Sequence, residues 1–100
     1  KLPVENKNCK HVFHLYVVYH LKRDKIINKL KEHNIKLNIN YPFPIHKMKA
    51  YKNKILNKSN YLPVTEKMAN GIFSLPLYPK LKKTDVFKVS RVIKKILLKI

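Results

Sequence analysis

Hydrophobic and polar positions fall into a few distinct patterns along this chain. Residues 12–20 (VFHLYVVYH) are rich in β-branched and aromatic side chains and predict a strand. Alternation puts Phe13, Leu15, Val17 and Tyr19 on one face and Val12, His14, Tyr16, Val18 and His20 on the other. Both faces are largely apolar, as in a central strand covered on two sides. The period then changes. Ile26, Ile27 and Leu30 form a helical stripe, with Lys25, Lys29, Lys31 and Glu32 left to water. Asp24 stands at or near the N-cap. His33-Asn34 ends the helix, since Asn is second only to Gly in accepting the left-handed backbone beyond a helix. Residues 35–40 alternate strictly, with Ile35, Leu37 and Ile39 inward and Lys36, Asn38 and Asn40 outward, so they predict a half-buried strand.

The alternation breaks at Tyr41-Pro42-Phe43-Pro44-Ile45-His46. Two prolines fix their own φ angles and push Tyr41 and Phe43 toward extended backbone, so this loop is stiff. It presents Asn40, Tyr41, Phe43 and His46 together, and hydrogen-bonding groups beside aromatic rings on a rigid loop suit a ligand. The plainer reading of the same spacing is a strand-to-helix connection with an aromatic plug. Residues 46–51 read as a short helical turn, and residues 52–60 as a polar loop pinned by Ile55 and Leu56. Pro63 opens a second helix, because its missing N–H costs nothing at the first position. Val64, Met68 and Ile72 form that helix's buried face, and Asn70-Gly71 closes it. Residues 72–77 (IFSLPL) predict a short strand that Pro76 confines to an edge or an end, and residues 78–81 a turn. Thr84 is placed to cap the last helix, with Asp85 in its first turn. Val86, Val89, Ile93, Ile96 and Ile100 make that helix's stripe. The order strand, helix, strand, loop, helix, strand, helix predicts an α+β fold, with a sheet of about three strands and helices packed on one side. Residues 1–10 are a polar lead-in, and residues 11–100 form one domain.

Composition narrows the picture. One hundred residues support a single modest core. The chain starts at Lys1 rather than Met, as a piece of a longer or processed chain would, and no secretory signal is visible at its start. The longest nearly apolar run, residues 12–21, is about half a membrane span, so the expectation is a soluble, cytoplasmic protein. The lone Cys9 permits no internal disulfide, which suits a reducing compartment. Net charge is +18, from 23 basic against 5 acidic residues. Such a charge suits a nucleic-acid partner. However, only Arg23 and Arg91 are arginine, the residue that reads bases bidentately, and the lysines are spread along the chain. A/T-rich codons account equally well for the Lys, Asn and Ile content.

Candidate chemistry is sparse. Cys9, His11, His14 and His20 have spacings that match no common zinc pattern, so no metal site is expected. No carboxylate pair or Ser-His-Asp order stands out, and one glycine cannot build a glycine-rich phosphate loop. Glu66 reads as a solvated helix residue or an ion-pair partner. The basic face of the last helix reads as solvated.

Three ordered blocks resemble one family. HVFHLYVV (residues 11–18) is similar to an H-x-Y-H-L-Y-V-V strand. Residues 23–51 are similar to a block that begins R-D, contains H-Y-P-x-P-x-H and ends A-Y. Residues 62–81 are similar to a block that runs from P-x-A-E to L-S-L-P-x-Y-P-x-L. Together they resemble the C-terminal region of the DegT/DnrJ/StrS family of pyridoxal-phosphate-dependent sugar aminotransferases. The resemblance implies the small C-terminal domain of an aspartate-aminotransferase-like fold, usually dimeric. These enzymes move an amino group, typically from glutamate, to a nucleotide-linked keto-sugar in sugar or polysaccharide biosynthesis. It also implies that the Schiff-base lysine and most cofactor contacts lie in a large domain not represented here, so no catalytic residue is expected in this chain. By motif position Tyr41 and His46 are substrate-binding candidates. So is Asn40, although it stands where the family has a titratable His. Asn34 stands where the family has Gly. The same half would also serve a pyridoxamine-dependent sugar dehydratase. The rival from another class is a free-standing basic domain that binds nucleic acid.

Overall fold

A computed structural model describes residues 1–51 and 61–100; the expected polar loop at residues 52–60 lies outside them. Strand β1 (Tyr16–Tyr19) leads into helix α1 (Arg23–Glu32), and a single 3-10 turn forms at Ile45–Lys47. Helix α2 (Pro63–Ala69), strand β2 (Ile72–Leu75) and helix α3 (Lys83–Leu97) follow. β1 and β2 pair antiparallel, with Val18 opposite Phe73 and Tyr16 opposite Leu75.

The α+β order stands, but the sheet is smaller than expected. Among the described residues it has two strands rather than about three. The segment at 35–40 adds only one bridge, Asn38 to Ser74. Its alternation is nonetheless real in burial: Ile35 is buried, Leu37 and Ile39 pack against the core, and Lys36 and Asn38 are exposed. A two-residue period reports which face is covered, not whether a hydrogen-bond ladder forms. Here the helix end on one side and Pro42 on the other leave few residues to run beside β2. β1 is also shorter than its apolar run. The Phe13 N–H donates to His11 Nδ1 at 2.8 Å and Phe13 takes φ 48°, so the chain is not extended there. Val12 and His14 are exposed. β1 was expected to be a central strand; in the two-stranded sheet β2 lies between β1 and the Asn38 bridge, and the far edge of β1 meets Lys1 at Tyr19.

One face of the sheet packs on α1 and α3. Val18, Phe73, Ile26, Ile27, Leu30, Ile35 and Ile96 form the buried cluster. Leu30 and Ile26 are the most completely covered, each worth about 1.5–3 kcal/mol in apolar burial. α1 ends in a Schellman motif. Asn34 takes φ 58°, its N–H donates to Lys31 O, and the Ile35 N–H donates to Leu30 O. The motif turns Ile35 back onto Leu30, within the core.

Two expected caps are not used. α1 is preceded by Lys22 and α3 by Lys82, with no side-chain cap in either case. Asp24 and Thr84 sit inside the first turns instead, where Asp24 and Asp85 still favour the positive helix end. α1 gains another tie. Arg23 Nη1 donates to Ala69 O, so its guanidinium closes the C-terminal end of α2. Pro63 is the first residue of α2, as predicted.

Candidate functional site

The proline loop leaves β2 on one side and meets α2 on the other. At its start the Ser74 hydroxyl donates to Asn40 Oδ1 at 3.2 Å. The Ser74 N–H also donates to Asn38 O at 2.7 Å, so β2 fixes where the loop begins. Asn40 and Tyr41 are joined by a cis peptide bond. At its end the loop winds into the 3-10 turn, where the Lys47 N–H donates to Pro44 O. The turn drives His46 inward, to 5% exposure.

His46 meets Glu66 of α2. Its Nε2 lies 2.9 Å from Glu66 Oε1, and with a carboxylate as partner that nitrogen is the donor. Lys47 Nζ stands 3.3 Å from the same oxygen, and the Leu62 N–H donates to it at 3.3 Å. One carboxylate oxygen thus ties the 3-10 turn to the first turn of α2. The His46 hydrogen bond is the chief cause that holds the Glu66 carboxyl below its ordinary value of 4.5. Partial burial opposes it, and Leu62 and Lys47 add to it.

Between these two anchors the aromatic side chains stand free. Tyr41 is 74% exposed and Phe43 67%. They line an open groove of about 580 Å³ together with Met48, Val64, Met68 and Ile72. Val64 and Met68 were expected to be buried, but Val64 is 73% exposed and Met68 half-buried. The stripe is real; the cover over it is absent from the described residues.

The sequence candidates therefore separate into two groups. Tyr41 and Phe43 share the groove, while Asn40 and His46 are engaged by Ser74 and Glu66 at the loop's two ends. Asn40 keeps its amide N–H groups for an acceptor, among the described residues. Glu66 is the ion-pair partner of the two readings left open for it. Nothing in local spacing links residues 46 and 66; only the shared motif blocks hinted at both.

No three His, Cys, Asp or Glu side chains among the described residues come together to hold a metal. His11 and His20 instead each accept a nearby backbone N–H. Pyridoxal phosphate does not fit the described residues either. Gly71, the one glycine, is no phosphate cradle: its N–H donates to Met68 O, its carbonyl accepts from His20, and the Tyr19 ring covers its α-carbon. Glu66, the buried-side acid closest to the loop, is committed to His46 and Lys47.

The sequence profile of the DegT/DnrJ/EryC1/StrS aminotransferase family matches residues 1–96. A dTDP-3-amino-3,4,6-trideoxy-alpha-D-glucose transaminase of Micromonospora megalomicea subsp. nigra is 48% identical over 82 residues, 81% of this chain and 22% of that protein. A dTDP-3-amino-3,6-dideoxy-alpha-D-galactopyranose transaminase of Aneurinibacillus thermoaerophilus is 34% identical over 88% of this chain and 23% of that protein. The crystal structure of S. venezuelae DesV in complex with a ketimine intermediate superimposes with a TM-score of 0.86 at 29% identity, over 94% of this chain and 25% of that one. The chain thus spans about a quarter of the length of the relatives it matches. With its profile matched almost end to end and its fold superimposed, the chain belongs to the DegT/DnrJ/EryC1/StrS aminotransferase family.

Proposed function

We propose that these residues are the C-terminal part of a pyridoxal-phosphate-dependent aminotransferase that moves an amino group from glutamate to a keto-sugar carried on a nucleotide. The superposition of 94% of the chain on one quarter of the DesV structure carries this reading. In it, the cofactor is held by the other three-quarters of the polypeptide, since the residues here do not fit it. This part walls the sugar side of the site. Tyr41 offers a phenol at the rim of the groove, and Asn40 offers amide N–H groups to a hydroxyl or phosphate oxygen. His46 holds the loop that carries them. The enzyme works as a homodimer in the cytoplasm and supplies an amino-sugar for a cell-surface polysaccharide or a related product. Among the described residues no helix is long and apolar enough to cross a membrane. The nucleic-acid reading draws no support from the transaminase relatives.

The test uses the whole polypeptide encoded by the reading frame that contains these residues. Purified, it is given pyridoxal phosphate, glutamate and a panel of nucleotide-linked 3- and 4-keto-sugars. The expected outcome is conversion of a C=O to CH–NH₂ with one 2-oxoglutarate formed per sugar, read by mass spectrometry. A reading frame that encodes no cofactor domain, or a product that has lost water without gaining nitrogen, overturns the proposal.

A further inference from the structure

The loop of residues 40–46 is held at both ends by side chains from two different elements. Ser74 of β2 binds Asn40, and Glu66 of α2 binds His46. Pro42 and Pro44 stiffen what lies between. His46 is buried and Asn40 half-buried, while the two aromatic residues between them are open, His46 at 5% exposure against Tyr41 at 74%. A loop folded for packing alone would bury its rings and leave its polar groups outside. Here the polarity is reversed. His46 and the Asn40 side-chain oxygen are spent on anchoring, and the rings stand over the groove.

From this geometry we infer that Glu66 is a positioning residue: through His46 it sets the height and tilt of the loop, so that Tyr41 and Phe43 stand ready at the groove before any ligand arrives. Three features make Glu66 the controlling end. It gathers His46, Lys47 and the Leu62 N–H on one oxygen, so a single side chain joins the 3-10 turn to α2. The His46 side chain is 3% exposed, so it has no water to replace a lost partner. Twenty residues separate the pair in sequence, so the link is tertiary and joins two segments that local backbone geometry does not bring together. The role of the presented rings toward a sugar nucleotide rests on the function proposed above. The latch itself does not.

Glu66→Ala and Glu66→Gln are made in the whole polypeptide, together with His46→Ala and the Glu66→Ala/His46→Ala double variant. Glu66→Ala is expected to raise KM for the keto-sugar about tenfold, the loss of one charge-assisted bond, with kcat within about twofold. Glu66→Gln keeps an acceptor for His46 Nε2–H and is expected to fall between it and the native protein. The double variant is expected to be no worse than either single one, because the two side chains act as a unit. Nitrogen-15 spectra of the imidazole are expected to show His46 protonated at Nε2 in the native protein and changed in Glu66→Ala. An unchanged His46 spectrum, additive single effects, or equal losses in kcat and in kcat/KM would each overturn the inference. If the native polypeptide transfers no amino group, the proposed function fails by itself, and the His46 spectra still decide whether the latch exists.

Discussion

Gly71 shows how much one atom can matter. A Cβ built there would overlap the Tyr19 ring, with Cδ2 at 2.7 Å and Cζ at 2.8 Å, and its φ is not in the left-handed region. Close approach, rather than backbone freedom, is what requires glycine. Gly71→Ala is expected to destabilise the fold by about 1–3 kcal/mol, as overpacking does. Chemical denaturation would measure it, and the cost should largely vanish in a Tyr19→Ala background, since the two sites share one clash. Glu66 carries a second residue-scale prediction. Its folded-state carboxyl titrates below 4.5, so its contribution to stability is complete above that value and is lost as pH falls through the lower, folded one. His46 and Lys47 both face the same oxygen, so protonating the carboxylate weakens the one acceptor they share. Thermal melts taken downward from pH 5 should show a loss in the native protein that is smaller in Glu66→Gln. Equal slopes would remove the pairing from the account.

Among elements, α1 and α2 are coupled by Arg23. Its side chain is 12% exposed and its Nη1 donates to the last residue of α2, a position where a cation also meets the negative helix end. The Asp24 carboxylate that pairs with Arg23 is 76% exposed, so that ion pair adds little. Arg23→Ala is therefore expected to cost about 1.5–3 kcal/mol, the range for a bond to a charged group, while Asp24→Ala costs less than about 1 kcal/mol. Hydrogen exchange should show the loss as faster opening of α2, whose seven residues are too few to be stable without neighbours. Two helices keep apolar side chains open to water. α2 presents Val64, and α3 leaves Val86 48% and Phe87 67% exposed.

Those open faces add up at the scale of the molecule. The accessible surface is 8805 Å², against about 5,900 Å² for a compact monomer of 11.9 kDa. The radius of gyration is 16.1 Å, against about 13 Å for a compact domain of this length. Such openness fits the proposed role as one part of a longer polypeptide, and the chain spans about a quarter of the length of its relatives. Studied alone, the 100-residue chain is expected to self-associate or to bind a hydrophobic dye strongly despite its +18 charge. Light scattering that showed a monodisperse monomer without dye binding would contradict this.

From its residues alone the chain determined many of the positions that face inward. Ile26, Ile27 and Leu30, the alternation at 35–39, the left-handed Asn34 and the helix start at Pro63 were all readable, because each follows from backbone geometry over a few neighbours. The ordered motif blocks also determined the family. The tertiary structure decided the rest. It kept residues 35–40 from completing a third strand, left the Val64–Met68 stripe uncovered, joined Arg23 to Ala69 and brought Glu66 to His46 across twenty residues. Periodicity records the preference of each side chain for cover, whereas pairing and latching depend on which distant segments arrive together, and no local spacing carries that information.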